Sequence, residues 1–275
     1  MRDVDVHCLA ISFALAAVVA FWLLLSATRP PPSFNELDVL DTRNPNLKIM
    51  IAVPMCERQE YTHFTASVLM SQDGVTSNDI YVFRDNCKLN PASRQIRNWY
   101  GPNVTIIDTP AKLKADKNTR RAFEAFVKTD YDYILMLDTD LILAANWRIE
   151  LARQLRFTQG IVTLYNSNQH TTVKCGEMLC VKKDIGSAGV VMSQARALQS
   201  LQTTDDFFDW GFCGIFQKND IPIYAFRHSI AFHIGSTGQN ANNKNLEEAV
   251  QFSEKVQRWV MYTAKAFLHK RLESV

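Results

Sequence analysis

Five short apolar runs, each bounded by a turn former or a breaker, restrict this chain more than any other feature. They are KIMIAVP (48–54), DIYVF (79–83), VTIIDT (104–109), YILML (133–137) and GIVTLY (160–165). Runs of this length rich in branched residues read as buried strands. Between them, residues 60–72 are helical in tendency, and residues 112–128 carry Phe123, Phe126 and Val127 at helical spacing. A further helix is expected from Trp147 to Phe157. Strands that alternate with helices imply right-handed crossovers and a mostly parallel sheet, an α/β, Rossmann-like fold. The fourth strand is expected to continue past an aspartate pair into Leu141-Ile142-Leu143.

A chain of 275 residues is long enough for one substantial core. Its net charge of +2 is small and its basic residues are scattered, which argues against a nucleic-acid partner. The first thirty residues differ from the rest. From Cys8 to Ala27 there is no charge, and twenty helical residues span about 30 Å of hydrocarbon. A cleaved signal peptide is the rival, but its apolar region is shorter, and Leu25-Ser26-Ala27 makes a poor cleavage site.

Residues 8–27 are therefore read as a transmembrane signal anchor. Residues 1–7 would form a short cytoplasmic tail, 28–47 a Pro-rich stem, and 48–275 the folded domain. Arg2 and Arg29 flank the span evenly, so the outward placement of the domain rests on the size of the head rather than on charge. Asn103-Val104-Thr105 is an N-glycosylation triplet that agrees with it. Five cysteines follow the span. Cys175 can close a small loop with Cys180, Cys56 can meet Cys87, and an odd number leaves at least one thiol over. There is no CxxC pair to suit zinc. Residues 246–267 trace an amphipathic closing helix.

Ligands of an open α/β sheet collect beyond the carboxyl ends of its strands. Pro54 ends the first run, Asp85 follows the second, and Asp138-Thr139-Asp140 interrupts the fourth. Two carboxylates between YILML and LIL are costly unless paired or bound to a metal, and a hard divalent ion with phosphate oxygens meets that cost. The bland reading is a pair of turn-forming or helix-capping aspartates.

The hydrophobic-LDTD-hydrophobic stretch resembles the DxD motif of GT-A glycosyltransferases. Three further segments follow in the family's order: IGSAGVVMS (185–193), FFDWGF (207–212) and FHIGS (232–236). The resemblance covers about residues 48–240. It implies a nucleotide-sugar donor, UDP-linked by preference, a glycan or glycoconjugate acceptor, and a Mn²⁺ or Mg²⁺ cofactor. Asp140 and His233 would bind the ion, and Asp138 would hold ribose or a metal-bound water. Pro54, Asp85, Gly186 and Gly189 would lie along the donor, and Arg120 and Arg121 would face the diphosphate. Asp209 would act as the base of an inverting hexosyl- or N-acetylhexosaminyl-transferase, with Asp205 and Asp206 its rivals. A eukaryotic member of this kind would be a single-pass type II Golgi protein with a lumenal domain. Glu57 and Arg58 depart from the family's pattern after the first strand, so no donor contact is carried over to them.

Two other readings compete. A haloacid-dehalogenase-type phosphatase would use Asp138 as nucleophile, Lys182 or Lys183 for charge, and Asp205-Asp206 for metal. A non-catalytic member of the GT-A fold would bind glycan or nucleotide without turnover.

Overall fold

Alternate residues of the first apolar run face opposite ways, and both directions are buried. In the computed structural model, which describes residues 47–234, Ile49, Ile51, Val53 and Met55 join one core and Met50 and Ala52 another. A strand buried on both faces is central to a sheet covered on both sides. The run forms β1 (Ile49–Met55). After it come α1 (Gln59–Met70), β2 (Ile80–Arg84), α2 (Ser93–Tyr100), β3 (Thr105–Asp108), α3 (Lys114–Phe126) and β4 (Tyr133–Met136).

β1 to β4 pair in parallel in the order β3-β2-β1-β4, so their carboxyl ends lie along one edge. The chain then forms β5 (Leu141–Leu143), α4 (Trp147–Leu155), β6 (Ile161–Thr163), β7 (Thr172–Cys175), β8 (Leu179–Lys182), β9 (Val190–Ser193), α5 (Gln194–Ser200), α6 (Phe208–Lys218), β10 (Ile223–Phe226) and β11 (Ala231–His233). The main sheet has nine strands, in the order β3-β2-β1-β4-β9-β6-β10-β8-β7. β9 and β8 are antiparallel to their neighbours, and the other seven strands share one direction. The expected mostly parallel sheet is therefore present, as a mixed one that fits a GT-A-like fold.

One face packs Ala66 and Leu69 of α1, Ile96 and Tyr100 of α2, and Trp147 and Leu151 of α4. The other packs Phe123 and Phe126 of α3 with Phe208, Phe212 and Phe216 of α6. The i, i+4, i+8 spacing of the α6 phenylalanines gives that helix a single aromatic stripe against the sheet.

One expectation fails. The fourth strand does not run on into Leu141-Ile142-Leu143. The chain turns at the aspartate pair, with Leu141 N–H donating to Asp138 O at 3.0 Å. β5 leaves the main sheet and pairs antiparallel with β11 in a separate two-stranded ribbon. Apolar residues on both sides of the turn hid the break, because burial continues through it while pairing does not.

The anchor at 8–27, the stem and the closing helix at 246–267 lie outside the described residues. Among the described residues, no helix is long and apolar enough to cross a membrane.

Candidate active site

The carboxyl ends of β1, β2 and β4 bring three acidic or basic segments together. After β1, Glu57 and Arg58 both adopt left-handed backbone, with φ of 58° and 54°. Two consecutive non-glycine residues in that region are strained, and such strain persists where the surroundings impose it. Here a disulfide between Cys56 and Cys87 ties the turn to the loop after β2. Glu57 N–H also donates to Asn90 Oδ1 at 3.1 Å. The turn delivers the Arg58 guanidinium to Oδ2 of Asp140.

Asp140 is 1% exposed. The β5–β11 ribbon sets His233 opposite Leu141, and Ile234 N–H donates to Asp140 O at 2.9 Å. His233 Nε2 thereby stands 3.4 Å from Asp140 Oδ2. Burial pushes the Asp140 carboxyl up, but His233 and Arg58 outweigh it and hold it below the usual carboxylate range. Asp138 precedes the turn and is half-buried. Thr65 of α1 hydroxyl-bonds Thr139 O at 3.0 Å and fixes the loop between the two aspartates.

Asp140 and His233 offer two candidate ligands for a divalent cation, but Asp138 does not complete a three-ligand cluster with them. Among the described residues the one such cluster is Cys56, Glu57 and Cys87, whose two cysteines are disulfide-bonded. Adjacent ligands of an ion about 2.1 Å from each stand about 3 Å apart, close to the His233–Asp140 separation. Asp140 supplies hard oxygen and His233 imidazole, a pairing that suits Mn²⁺. Arg58 is ion-paired to the same oxygen, so a cation bound there would have to displace its guanidinium.

The other expected donor residues take different positions. Pro54 stands in β1 opposite Phe83, beyond the last β1–β4 pair at Ala52 and Met136, where the sheet asks no N–H of it on the β4 side. Asp85 is buried and accepts from Leu113 N–H at 2.6 Å, Lys114 N–H at 2.9 Å, Asn86 N–H at 2.9 Å and Thr109 Oγ1 at 3.2 Å. Those bonds anchor the entry of α3, where Lys114 has φ of 67°. Arg121 donates through Nη2 to Asp108 O at 2.5 Å, and its Nη1 is buried with no partner among the described residues.

Arg120 does not face this edge as expected. Its guanidinium donates to Thr203 O at 2.7 Å and Leu201 O at 2.9 Å, clamping the α5–α6 connection, and stacks over Phe208.

Gly186 and Gly189 bracket the strip that joins the aspartate turn to the expected base. Gly189 has φ of 69°, and a Cβ there would meet Leu141 Cδ2 at 3.3 Å. Its N–H donates to Met136 O at 2.9 Å, which docks the strip against β4. At Gly186 a Cβ would stand 3.5 Å from His170 Nε2 and 3.9 Å from Asp209 Oδ2. Three residues of extended chain reach at most about 11 Å, which bounds the separation of Gly186 from Gly189.

Asp209 occupies the first turn of α6. Its Oδ1 accepts from Trp210 N–H at 2.9 Å, and it is half-buried, whereas Asp205 and Asp206 are exposed. Burial, supported by the nearby charge of Asp116, raises its carboxyl above the ordinary value. Cys213, one turn along α6 and the thiol left over among the described residues, donates to Ile185 O at 3.4 Å and fixes the helix against the glycine strip. The second expected pair, Cys175 with Cys180, is also bonded.

Sequence reasoning missed His170 and Asp184. His170 Nδ1 lies 2.7 Å from Asp184 Oδ1, both side chains being 14% exposed. Nothing local to a lone histidine marks it; the β7–β8 hairpin brings the pair together. Lys182, the phosphatase reading's charge stabiliser, is buried and donates to Ser167 O at 3.1 Å, His170 O at 2.8 Å and Thr172 Oγ1 at 2.9 Å. All three ammonium donors hold this loop, so Lys182 is not that cation; Lys183, the other residue the phosphatase reading named, is exposed beside it.

No protein-family model matches the chain, and no curated protein matches it in sequence. Among solved structures, S. aureus TarS 1-349 in complex with UDP-GlcNAc matches over 72% of this chain and 62% of that one, with a TM-score of 0.52 and 12% identity. The crystal structure of S. aureus TarS matches over 65% of this chain and 34% of that one, with a TM-score of 0.45 and 12% identity. The chain thus spans less than two thirds of the length of these TarS chains. At this identity the likeness is one of fold, and the fold it establishes is that of TarS 1-349.

Proposed function

We propose that the protein is a glycosyltransferase that moves a sugar from a nucleoside diphosphate donor to a hydroxyl of a glycan or glycoconjugate. The observation that carries this reading is the convergence of Arg58 and His233 on the buried Asp140 carboxylate, at the carboxyl edge of the sheet. The UDP-GlcNAc bound to TarS 1-349, which has the same fold, supports a uridine diphosphate sugar as the donor class.

In this reading Asp140 and His233 would hold a divalent ion, Mn²⁺ or Mg²⁺, and Asp138 would hold ribose or a metal-bound water. When bound, the ion neutralises charge on the departing diphosphate. Arg58 adds a second positive charge at the same end. Asp209, a better base for its raised pKa, takes the acceptor proton as the acceptor oxygen bonds to the anomeric carbon and the carbon–phosphate-oxygen bond breaks. A single carboxylate acting as base, with no second one acting as nucleophile, is the arrangement of an inverting transfer. Attachment to a Golgi-type membrane through residues 8–27 is part of the proposal, and two disulfides agree with a compartment outside the cytosol.

The test is an incubation of the full chain with a panel of nucleotide sugars, with and without Mn²⁺. Transfer, or slow release of nucleoside diphosphate without acceptor, is the expected result. Orthophosphate release would favour the phosphatase, and binding without turnover would favour a non-catalytic protein.

A further inference from the structure

His170 is held in one orientation by Asp184. In the tautomer that this carboxylate favours, Nδ1–H donates to Asp184 Oδ1 and the Nε2 lone pair is directed away from it. Among the described residues Nε2 makes no hydrogen bond, and it lies over Gly186, where a Cβ would stand 3.5 Å from it. Oδ2 of Asp209 faces the same space from the other element, its partner oxygen already engaged by Trp210 N–H. Beside them Trp210 is 58% exposed, its ring centroid 6.4 Å from that of His170. An exposed aromatic face next to two unengaged acceptors is a poor arrangement for a core and a suitable one for a sugar ring, which is apolar on one face and hydroxylated at its edge.

We infer that His170, Asp209 and Trp210 form an acceptor subsite that reads two neighbouring hydroxyls of a pyranose. The inference rests on the transferase reading above and deepens it. The ring stacks on Trp210. The attacking hydroxyl donates to Asp209, and the vicinal hydroxyl donates to His170 Nε2. Gly186 leaves this space free of a side chain; a Cβ there would be in ordinary contact with His170 Nε2 and Asp209 Oδ2, at 3.5 and 3.9 Å. Asp184 is a positioning residue: it fixes the tautomer in which Nε2 accepts. Lys182 supports the loop by bonding the His170 carbonyl.

The subsite predicts discrimination by the acceptor's second hydroxyl. A site built to bond a hydroxyl rejects the analogue that lacks it. Transfer by the full chain is measured for a set of methyl pyranosides and their monodeoxy derivatives. The wild type should prefer one diol over its vicinal deoxy analogue by about tenfold or more in kcat/KM, and His170→Ala should bring that ratio close to one. His170→Gln, which can place an amide oxygen near Nε2, should recover part of it. A wild type indifferent to the second hydroxyl, or a His170→Ala ratio equal to that of the wild type, overturns the subsite while leaving the transferase reading intact. Failure of the wild type to transfer to any glycoside overturns both.

Discussion

His233 Nε2 stands 3.4 Å from Asp140 Oδ2 because β11 pairs with β5, so one antiparallel register places both candidate ligands at once. The same carboxylate receives Arg58 from the turn after β1. Three distant segments of chain thus meet on one buried oxygen.

Removing that carboxylate should remove the cation site. Asp140→Asn is expected to lower metal-stimulated donor turnover by at least about 100-fold. Calorimetric titration of Mn²⁺ in the presence of UDP checks the cause, since the variant should lose the Mn²⁺-dependent part of binding.

Asp209→Asn should retain donor binding while losing transfer by about 10²–10⁴-fold. Its effect on stability has the opposite sign from that of most buried substitutions. The folded carboxyl is raised above the ordinary value of 3.8, by burial first and Asp116 second. Below the unfolded value it is protonated in both states. Between the two values only the folded state keeps the proton, so stability falls as pH rises through that window and stays reduced above it. The neutral asparagine lacks this cost, and its denaturation midpoint at neutral pH should equal or exceed that of the wild type. In the wild type, the acid limb of transfer activity should lie above 3.8 for the same reason.

Gly189→Ala meets two obstacles together, a φ of 69° and Leu141 Cδ2 at 3.3 Å from the new methyl. A left-handed residue bearing a Cβ costs about 1–2 kcal/mol. Chemical denaturation should register that loss. Activity should fall as well, because the same glycine seats the strip against the aspartate turn.

Lys182→Met leaves the carbonyls of Ser167 and His170 without their donor. Hydrogen bonds to a charged group are worth about 1.5–3 kcal/mol, and a loss in that range is expected on unfolding in urea. Because the loop positions His170, the KM for acceptor should rise more than that for donor.

β1, β2 and β4 were legible because each is a largely buried run closed by a turn former or a polar residue, and β3 as a half-buried one; their parallel order follows from the helices between them. Asp140, Asp209 and His233 were legible as types in a given order. What placed them was not. The break after β4 carries no local signal, since Leu137 and Leu141 are both buried on either side of the turn. Asp85 was expected beside a nucleotide, but backbone amides of the α3 entry take its oxygens, a demand created only when β2 and α3 meet. Arg58 was set aside because it departs from the family's pattern, yet a strained turn and a disulfide deliver it to Asp140. β7 is exposed along its whole length, so it has no hydrophobic alternation to announce it, and the His170–Asp184 pair depends on the hairpin it forms.

The most direct test of a nucleotide-sugar site is the thermal stability of the protein with Mn²⁺ and a panel of nucleoside diphosphates. Ligand binding to the folded state alone stabilises it by about 2.7 kcal/mol at a hundredfold excess over Kd. A Mn²⁺-dependent rise in Tm with UDP, lost in Asp140→Asn, is the predicted result. No rise with any nucleoside diphosphate, with or without Mn²⁺, would contradict the donor site.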